Sequence, residues 1–190
     1  GKYNTIIRCK FNRNGDTGIC GEGWGHRFIN CETSYNNFLG MSSGWHAGGI
    51  KIISRSKGFV FDGHLATYNT GDGIWFDMGN FDAIITNCVS YRNTGNGIFY
   101  EIGERAATTN NVCYENGGRG VYLSNSSDCQ VYNNVFWRNG MSGVGCIGSD
   151  RSGGDWGEGE KQRLPAKNNI IWGNIFVDNC HPDFCPKEPD

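Results

Sequence analysis

The sequence predicts an all-β solenoid, a parallel β-helix of about seven coils. Three observations lead to this fold class: an internal repeat, a composition rich in turn-forming residues, and no segment with the period of a long amphipathic helix. The chain of 190 residues contains 30 glycines and only 4 prolines, which is typical of many tight turns. Its length is sufficient for one domain with a substantial core.

The repeat is seen in three columns of aligned residues. Four of the six steps between copies in the first column are 23 or 24 residues, so the repeating unit has about that length. The first column is asparagine throughout: Asn14, Asn37, Asn69, Asn93, Asn116, Asn139 and Asn179. The second column contains Cys9, Cys31, Gly63, Cys88, Asn111, Asn134 and Asn174. The third column contains Ile6, Phe28, Val60, Ile85, Thr108, Val131 and Ile171.

A unit of this size holds short strands that cannot bury their own apolar side chains. Stacked units can, because each strand then pairs with its copy in the next coil, about 4.8 Å away. Asparagine suits the corners, since it tolerates left-handed backbone and its amide can bond the neighbouring coil. An antiparallel sandwich with loose repeats is the alternative, but it does not require columns in register.

With these columns in place, the chain resembles the right-handed parallel β-helix repeat proteins of the pectate-lyase-like superfamily. The resemblance covers nearly all of residues 4–179 and implies a right-handed solenoid. That superfamily includes lyases, hydrolases, epimerases and non-catalytic phage and surface proteins, so the resemblance does not select a reaction. We expect one domain over residues 1–179, with insertions at 38–49 and 149–166, and a tail at 180–190.

The strand after each corner asparagine alternates between two faces. Its first residue is apolar in the copies that begin with Ile50, Ile74, Ile98 and Val121, and we expect these side chains to stack inside. The fourth residue includes Asp77 and Glu101, whose charges are costly to bury unpaired. These two acids are therefore predicted on adjacent coils of one outer face, about 5 Å apart at the backbone.

A second outward column is predicted beside the acids, with Lys51 followed by Trp75, Phe99 and Tyr122. Three exposed aromatic residues in a row indicate a binding strip, and aromatic rings with acids suit a carbohydrate. The alternative is that the rings form a ladder that only stabilises the sheet. The insertion at 38–49 carries Trp45, and together with the insertion at 149–166 it could wall a groove over the strip.

Two carboxylates about 5 Å apart suit a retaining glycosidase. We expect Glu101 to be the acid, because Phe99 flanks it and desolvation raises the pKa of a carboxyl group, and Asp77 to be the nucleophile or stabilising carboxylate. The reverse assignment of the two roles is the alternative. Glu22 stands two coils from Asp77, about 10 Å away, closer to the inverting arrangement. The alternatives to catalysis are that the two acids form a solvated acidic stripe or a calcium site.

A lyase or epimerase that acts on uronic acids is the second reaction class. His46 could supply the base and Lys51 the cation that stabilises an enolate-like intermediate. The aspartate-rich calcium sites and arginine base of pectate lyases, and the Asp-Pro-His-Asp motif of alginate epimerases, are not recognisable. A third class is a structural or adhesive solenoid whose columns serve stacking alone.

The composition bounds the partners. A net charge of -2 provides no general attraction to nucleic acid, and no stretch approaches the roughly 18 consecutive apolar residues of a membrane span. We expect an extracellular or cell-surface polysaccharide as partner, with no required cofactor, although calcium is the metal ion that the acids could bind. A homo-oligomer or a larger parent chain could cover the solenoid end, since exposed strand edges need protection.

Nine cysteines leave at least one thiol unpaired. Cys9 and Cys31 occupy one corner column and are within disulfide reach if their side chains agree, although an inward cysteine also acts as a small hydrophobe. Cys180 and Cys185 could close a terminal loop. The sequence contains no CxxC pair, so a zinc knuckle is not predicted.

Overall fold

The computed structural model describes residues 1–149 and 166–184, which form a parallel β-solenoid with three sheets. Its strands are numbered β1 to β19 in chain order. The predicted all-β class and the count of about seven coils are confirmed, because the first sheet has seven strands and the other two have six each. Every pair of neighbouring strands is parallel and comes from successive coils.

The first sheet contains β1 (Thr5–Ile7), β3 (Arg27–Ile29), β6 (Val60–Asp62), β9 (Ile84–Thr86), β12 (Ala107–Thr109), β15 (Gln130–Tyr132) and β18 (Ile170–Trp172). The second sheet contains β4 (Glu32–Ser34), β7 (Leu65–Thr67), β10 (Val89–Tyr91), β13 (Val112–Tyr114), β16 (Val135–Trp137) and β19 (Ile175–Val177). The third sheet contains β2 (Ile19–Gly21), β5 (Gly48–Ile52), β8 (Asp72–Phe76), β11 (Ile98–Glu101), β14 (Val121–Ser124) and β17 (Val144–Ile147).

The interior stack predicted for the third sheet is confirmed. Ile50, Ile74, Ile98 and Val121 pair in register and are almost fully buried. Along each strand the residues next to these point to the outer face, because successive side chains alternate. The interior is therefore filled by the residues that the alternation selected.

The third column of the repeat, whose residues lie in the first sheet, is wrong at one position. Phe61, and not Val60, pairs with Phe28 on one side and Ile85 on the other, and Phe61 is fully buried while Val60 is only half-buried. The coil that contains the insertion is one residue longer than the alignment assumed. The same slip affects the corner column, where His64 takes the place predicted for Gly63.

Asparagine has two separate roles at the corners. The ladder role belongs to Asn36, not to the predicted Asn37: Asn14 donates to Asn36 Oδ1, and Asn36 donates to Asn69 Oδ1. Asn37 instead has φ 60°, the left-handed backbone that asparagine tolerates. The consecutive pair Asn36-Asn37 therefore supplies one residue for each role.

The ladder continues through the whole stack. The backbone N–H and the side-chain NH₂ of each member donate to the carboxamide oxygen of the next, and the members are Asn14, Asn36, Asn69, Asn93, Asn116, Asn139 and Asn179. A shorter ladder at the next corner joins Asn111, Asn134 and Asn174. Each bond lies between coils, so the ladders fix coil spacing and register together.

The last coil leaves the interior open among the described residues. Ile171 is 41% exposed and Phe176 is 51% exposed, whereas their register partners Val131 and Phe136 one coil earlier are fully buried. The expectation that a neighbouring subunit or further chain covers an end remains a prediction.

The cysteines in the described residues are free thiols. The backbone N–H of Cys9 donates to Cys31 Sγ at 3.5 Å, so this pair is not a disulfide, and the buried Cys31 acts as a small hydrophobe in the corner column. The predicted loop closure by Cys180 and Cys185 cannot be described, since Cys185 lies outside the described residues. No helix in the described ranges has the length and apolar character needed to cross a membrane.

The ladder predicts a large effect for Asn116→Ala. Asn116 accepts two bonds from Asn93 and donates to Asn139 Oδ1 and to Ser90 O, so its loss leaves buried groups unpaired. We expect a loss of about 3 kcal/mol in the free energy of unfolding, measured by urea titration. Asn14→Ala at the exposed start of the ladder is the control, and a loss from it equal to that of Asn116→Ala would contradict the ladder's role.

The corrected register predicts different costs for two neighbouring residues. Phe61→Ala removes a fully buried ring and should lower the free energy of unfolding by about 3–5 kcal/mol. Val60→Ala should cost about 1 kcal/mol or less, because Val60 faces outward. Urea denaturation of both variants checks this, and a larger cost at Val60 than at Phe61 would restore the original alignment.

Candidate functional site

The outer face of the third sheet carries three columns of side chains over β5, β8, β11 and β14. The middle column is Lys51, Trp75, Phe99 and Tyr122, which pair in register on successive coils. The column after it contains Asp77, Glu101 and Ser124, and the column before it contains Asp72, Asn96 and Arg119. The acids predicted for this face are therefore placed on adjacent coils beside the aromatic residues.

The aromatic side chains of the middle column stack on one another. The ring centroids of Trp75 and Phe99 are 5.2 Å apart, and those of Phe99 and Tyr122 are 4.8 Å apart, with nearly parallel planes. Lys51 Nζ lies 3.2 Å from the Trp75 ring centroid, and Arg119 covers Tyr122 at 4.3 Å. Cations thus cap both ends of the stack.

This stacking corrects the expectation of an exposed strip. Trp75 is only 4% exposed and Phe99 only 9%, and Tyr122 is half-buried. Because each ring face is already covered by a neighbour, a sugar ring cannot stack on Trp75 or Phe99 in this arrangement. The ladder interpretation is right about the packing, and a role of these side chains in substrate binding remains a prediction that depends on their edges.

Lys51 joins the aromatic column to the acids. Its ammonium lies 2.9 Å from Asp77 Oδ2, donates to the carbonyl oxygen of Trp45, and contacts the face of Trp75. Lys51 is 4% exposed, so its charge is compensated entirely by these neighbours. Asp77 Oδ1 also accepts the N–H of Met78 at 2.7 Å, and both oxygens of the Asp77 carboxylate are thereby held.

Glu101 occupies the coil after Asp77 and is 6% exposed. Its Oε2 accepts the indole N–H of Trp75 at 3.2 Å. The carboxylate is thus tied back toward the coil of Asp77, where Trp75 also contacts Lys51, the ion-pair partner of Asp77. Asp77 and Glu101, with Lys51 and Trp75, are called the acid group.

Asp72 is the acid that sequence reasoning missed. It is 7% exposed, and its Oδ1 accepts the backbone N–H and the side-chain NH₂ of Asn96 at 2.6 and 2.8 Å. Burial raises the pKa of Asp72 to about 6; the Asn96 bonds partly offset this, the charge of Glu101 adds to it and that of Lys51 reduces it. The signal in the sequence is the pair TGDGI and TGNGI, where Asp72 stands at the position of Asn96.

The insertion at 38–49 contributes two predicted residues with different fates. Trp45 is 70% exposed and lies beside Lys51, with Lys51 Nζ 5.9 Å from its ring centroid. His46 instead pairs with Asp16, outside the acid group, through Nε2 at 2.8 Å. Of the insertion at 149–166, residues 150–165 lie outside the described residues.

Glu22 is not part of this group. It is exposed and lines a shallow depression with Lys2, Trp24 and Ser54, one coil beyond Lys51. Ile53 occupies the position between Glu22 and Asp77 in the outward column, so the inverting arrangement proposed for that pair has an apolar residue in the middle.

No group of three or more histidine, cysteine, aspartate or glutamate side chains is placed to hold a metal ion within residues 1–149 and 166–184. Asp72, Asp77 and Glu101 are held by asparagine, lysine and tryptophan donors, which compete with a calcium ion for the same oxygens. These carboxylates therefore do not form an open calcium cage.

Comparison with protein families matches the right-handed β-helix region over residues 1–136 and again over 44–181. The chain belongs to this family. The family fits the repeat and the three parallel sheets, and it confirms the handedness that the resemblance implied. A search of curated proteins finds no match to the sequence.

Solved structures with the same fold share little sequence with this protein. The A-module of the Azotobacter vinelandii mannuronan C-5 epimerase AlgE4 matches at a TM-score of 0.71 and 15% identity, over 94% of this chain and 53% of that one. The periplasmic alginate epimerase AlgG matches at 0.66 and 15%, over 92% and 47%. The Dettilon tailspike protein matches at 0.65 and 16%, over 93% and 41%. The chain thus spans about half the length of these structures, and the likeness shows the fold alone.

The pKa of Asp72 predicts a pH-dependent gain from Asp72→Asn. The folded-state pKa of about 6 lies above the ordinary 3.8. The contribution of Asp72 to the free energy of unfolding is therefore complete below pH 3.8 and is lost as the pH rises through 6. Asparagine keeps the acceptor for Asn96 without the charge. We expect Asp72→Asn to have little effect at pH 4 and to raise the free energy of unfolding by up to about 3 kcal/mol at pH 8.

Asp82→Asn is the control with the opposite sign. The bonds from Arg105 hold the pKa of Asp82 below its ordinary value, so the stability it contributes is present above pH 3.8 and is lost on acidification. Chemical denaturation at both pH values measures the two variants. An equal effect of Asp72→Asn at pH 4 and pH 8 would show that Asp72 is not a buried, weakened acid.

Proposed function

We propose that this protein binds a polysaccharide along the outer face of the third sheet and hydrolyses its glycosidic bonds with Asp77 and Glu101. The observation that carries the proposal is the placement of these two carboxylates on adjacent coils. Lys51 forms an ion pair with Asp77, and Trp75 donates a hydrogen bond to Glu101. Carboxylates on neighbouring parallel strands are about 5 Å apart at the backbone, which suits a retaining mechanism.

The two acids receive different roles from their partners. The ammonium of Lys51, 2.9 Å from Asp77 Oδ2, holds the Asp77 carboxylate in one place, as a nucleophile or a stabilising carboxylate requires. Glu101 then donates a proton to the glycosidic oxygen while Asp77 attacks the anomeric carbon. Water, deprotonated by Glu101, next displaces Asp77 and releases the sugar.

The surroundings of the acids support a glycan ligand in other ways. The exposed indole of Trp45 lies next to Lys51 and has a face available to a sugar ring. The half-buried Tyr122 extends the face along the solenoid axis. The similar structures named as mannuronan and alginate epimerases act on polysaccharides by name, and an extracellular or cell-surface location would give this chain access to such a substrate.

A lyase or epimerase that acts on uronic acids is the second candidate, and the names of those two similar structures favour it. Its proposed residues are less well arranged, because His46 is bonded to Asp16 and Lys51 is saturated by Asp77, Trp45 and Trp75. That chemistry requires a base and an uncompensated cation close to the same sugar. Hydrolysis is therefore the reaction that the contacts support better.

We expect Glu101→Gln and Asp77→Asn each to lower turnover by at least about a hundredfold, because each removes a group that reacts with the substrate. The substrates are a panel of neutral and uronate-rich polysaccharides. New reducing ends alone indicate hydrolysis; reducing ends with the ultraviolet absorbance of an unsaturated sugar indicate a lyase; and deuterium uptake from solvent without cleavage indicates an epimerase.

Glu104→Gln and Asp128→Asn are matched controls, because both residues are exposed and lie outside the acid group. They should retain the activity of the unchanged protein. Turnover that survives both Glu101→Gln and Asp77→Asn would remove the acid pair from the mechanism, and no binding or product across the panel would favour a structural or adhesive solenoid.

A further inference from the structure

Arg119 occupies a place that the fold leaves open at the end of the aromatic column. A Cβ at Gly145, the next position of that column, would lie 2.4 Å from Arg119 Cδ and 2.5 Å from Nε. The missing side chain at Gly145 is thus what allows Arg119 to fold over the Tyr122 ring. The backbone N–H of Arg119 donates to Asn96 Oδ1 at 2.9 Å, which fixes the start of this side chain.

The guanidinium of Arg119 has a different charge environment from three arginines elsewhere on the solenoid. Arg92, Arg105 and Arg138 each pair with a carboxylate. Arg119 has no carboxylate partner within residues 1–149 and 166–184, and its side chain is half-buried and held by stacking. A cation that is positioned without an internal anion is suited to bind an anion from outside.

The position of Arg119 relates it to the acid group. Glu101 lies in β11 and Gly145 in β17, two coils further along the axis, so the guanidinium lies about 10 Å from the coil of Glu101. A polysaccharide that runs along the axis with one sugar at Asp77 and Glu101 would place a later sugar over Arg119. The face would thus meet the polymer with paired acids at one point and a single cation at another.

We propose that Arg119 binds an anionic substituent of the polysaccharide, a carboxylate or a sulfate, and makes the face selective for acidic over neutral chains. This inference rests on the proposed function, because it requires a glycan on the same face. The planar guanidinium can donate two parallel N–H bonds to either group. Lys51 does not compete for this role, since its charge is already compensated by Asp77.

The test measures binding by calorimetry to three oligosaccharides of equal length: a uronic-acid oligomer, a neutral oligomer, and the sulfated form of that neutral oligomer. We expect Arg119→Gln to weaken binding of an acidic ligand by about tenfold or more, and to change binding of the neutral ligand by less than about twofold. Arg119→Lys should recover part of the loss, because it retains the charge without the planar fork.

Gly145→Ala is the second variant, since it displaces Arg119 without removing its charge. It should weaken acidic ligands in the same direction as Arg119→Gln and leave the neutral ligand unaffected. Arg27→Gln is the matched control: Arg27 is an exposed arginine of β3 in the first sheet, and its loss changes the net charge equally. Far-ultraviolet circular dichroism checks that every variant retains the β fold.

The outcomes distinguish a carboxylate ligand from a sulfate ligand, and they distinguish failure of this inference from failure of the proposed function. A loss confined to the uronic-acid oligomer assigns the site to a carboxylate, and a loss confined to the sulfated oligomer assigns it to a sulfate; both support the inference. Undiminished acidic binding in Arg119→Gln, or an equal loss in Arg27→Gln, overturns it. Binding of the neutral oligomer alone overturns this inference and leaves the proposed function standing, whereas no binding of any oligomer overturns both.

Discussion

Each interior ladder asparagine accepts two N–H bonds from the coil before it and donates its own N–H groups to the coil after it, so successive coils are locked in both spacing and register. The strands are only three to five residues long, and their own hydrogen bonds offer little to prevent a slip along the strand. A slip of one residue would exchange the inner and outer faces. The alignment of Lys51, Trp75 and Phe99 on the outer face therefore depends on bonds made at the corners.

That alignment has an electrostatic consequence on the outer face. Because Lys51 stands directly over Trp75, its ammonium reaches Asp77 on the coil of Trp75, and the indole N–H of Trp75 reaches Glu101 on the next coil. Charged groups that are 4–6% exposed would be costly without such partners. The stacked rings displace water from the column, and the partners that replace it hold the carboxylates in fixed directions. Fixed, partly dehydrated carboxylates are the form in which an acid pair is useful to catalysis.

Small residues shape the face as much as large ones. Gly145 ends the aromatic column and leaves the space that Arg119 fills, while Asp72 and Asn96 continue the pattern of hydrogen bonds between coils along the edge of the face. Buried at this edge, Asp72 has a pKa of about 6 and reports the low polarity of its surroundings. The buried His64, inside the neighbouring corner, has its pKa lowered to about 3 by the same cause, and it is therefore neutral at ordinary pH.

The sequence by itself determined the solenoid, its three columns and the two outward acids, because a repeat of about 23 residues with period-two strands leaves one way to bury the apolar side chains. It could not place the insertion to the residue, and so Val60, Gly63 and Asn37 were assigned where Phe61, His64 and Asn36 belong. The sequence also did not determine how exposed these side chains are. Alternation showed that Trp75 and Phe99 point outward. They bury each other because the distance between coils is close to the thickness of a stacked ring. The burial of Asp72 and the position of Arg119 were decided only by the stacking of the coils, because Asn96, which bonds Asp72, and Gly145, which leaves room for Arg119, lie about one coil away in space and more than twenty residues away in sequence.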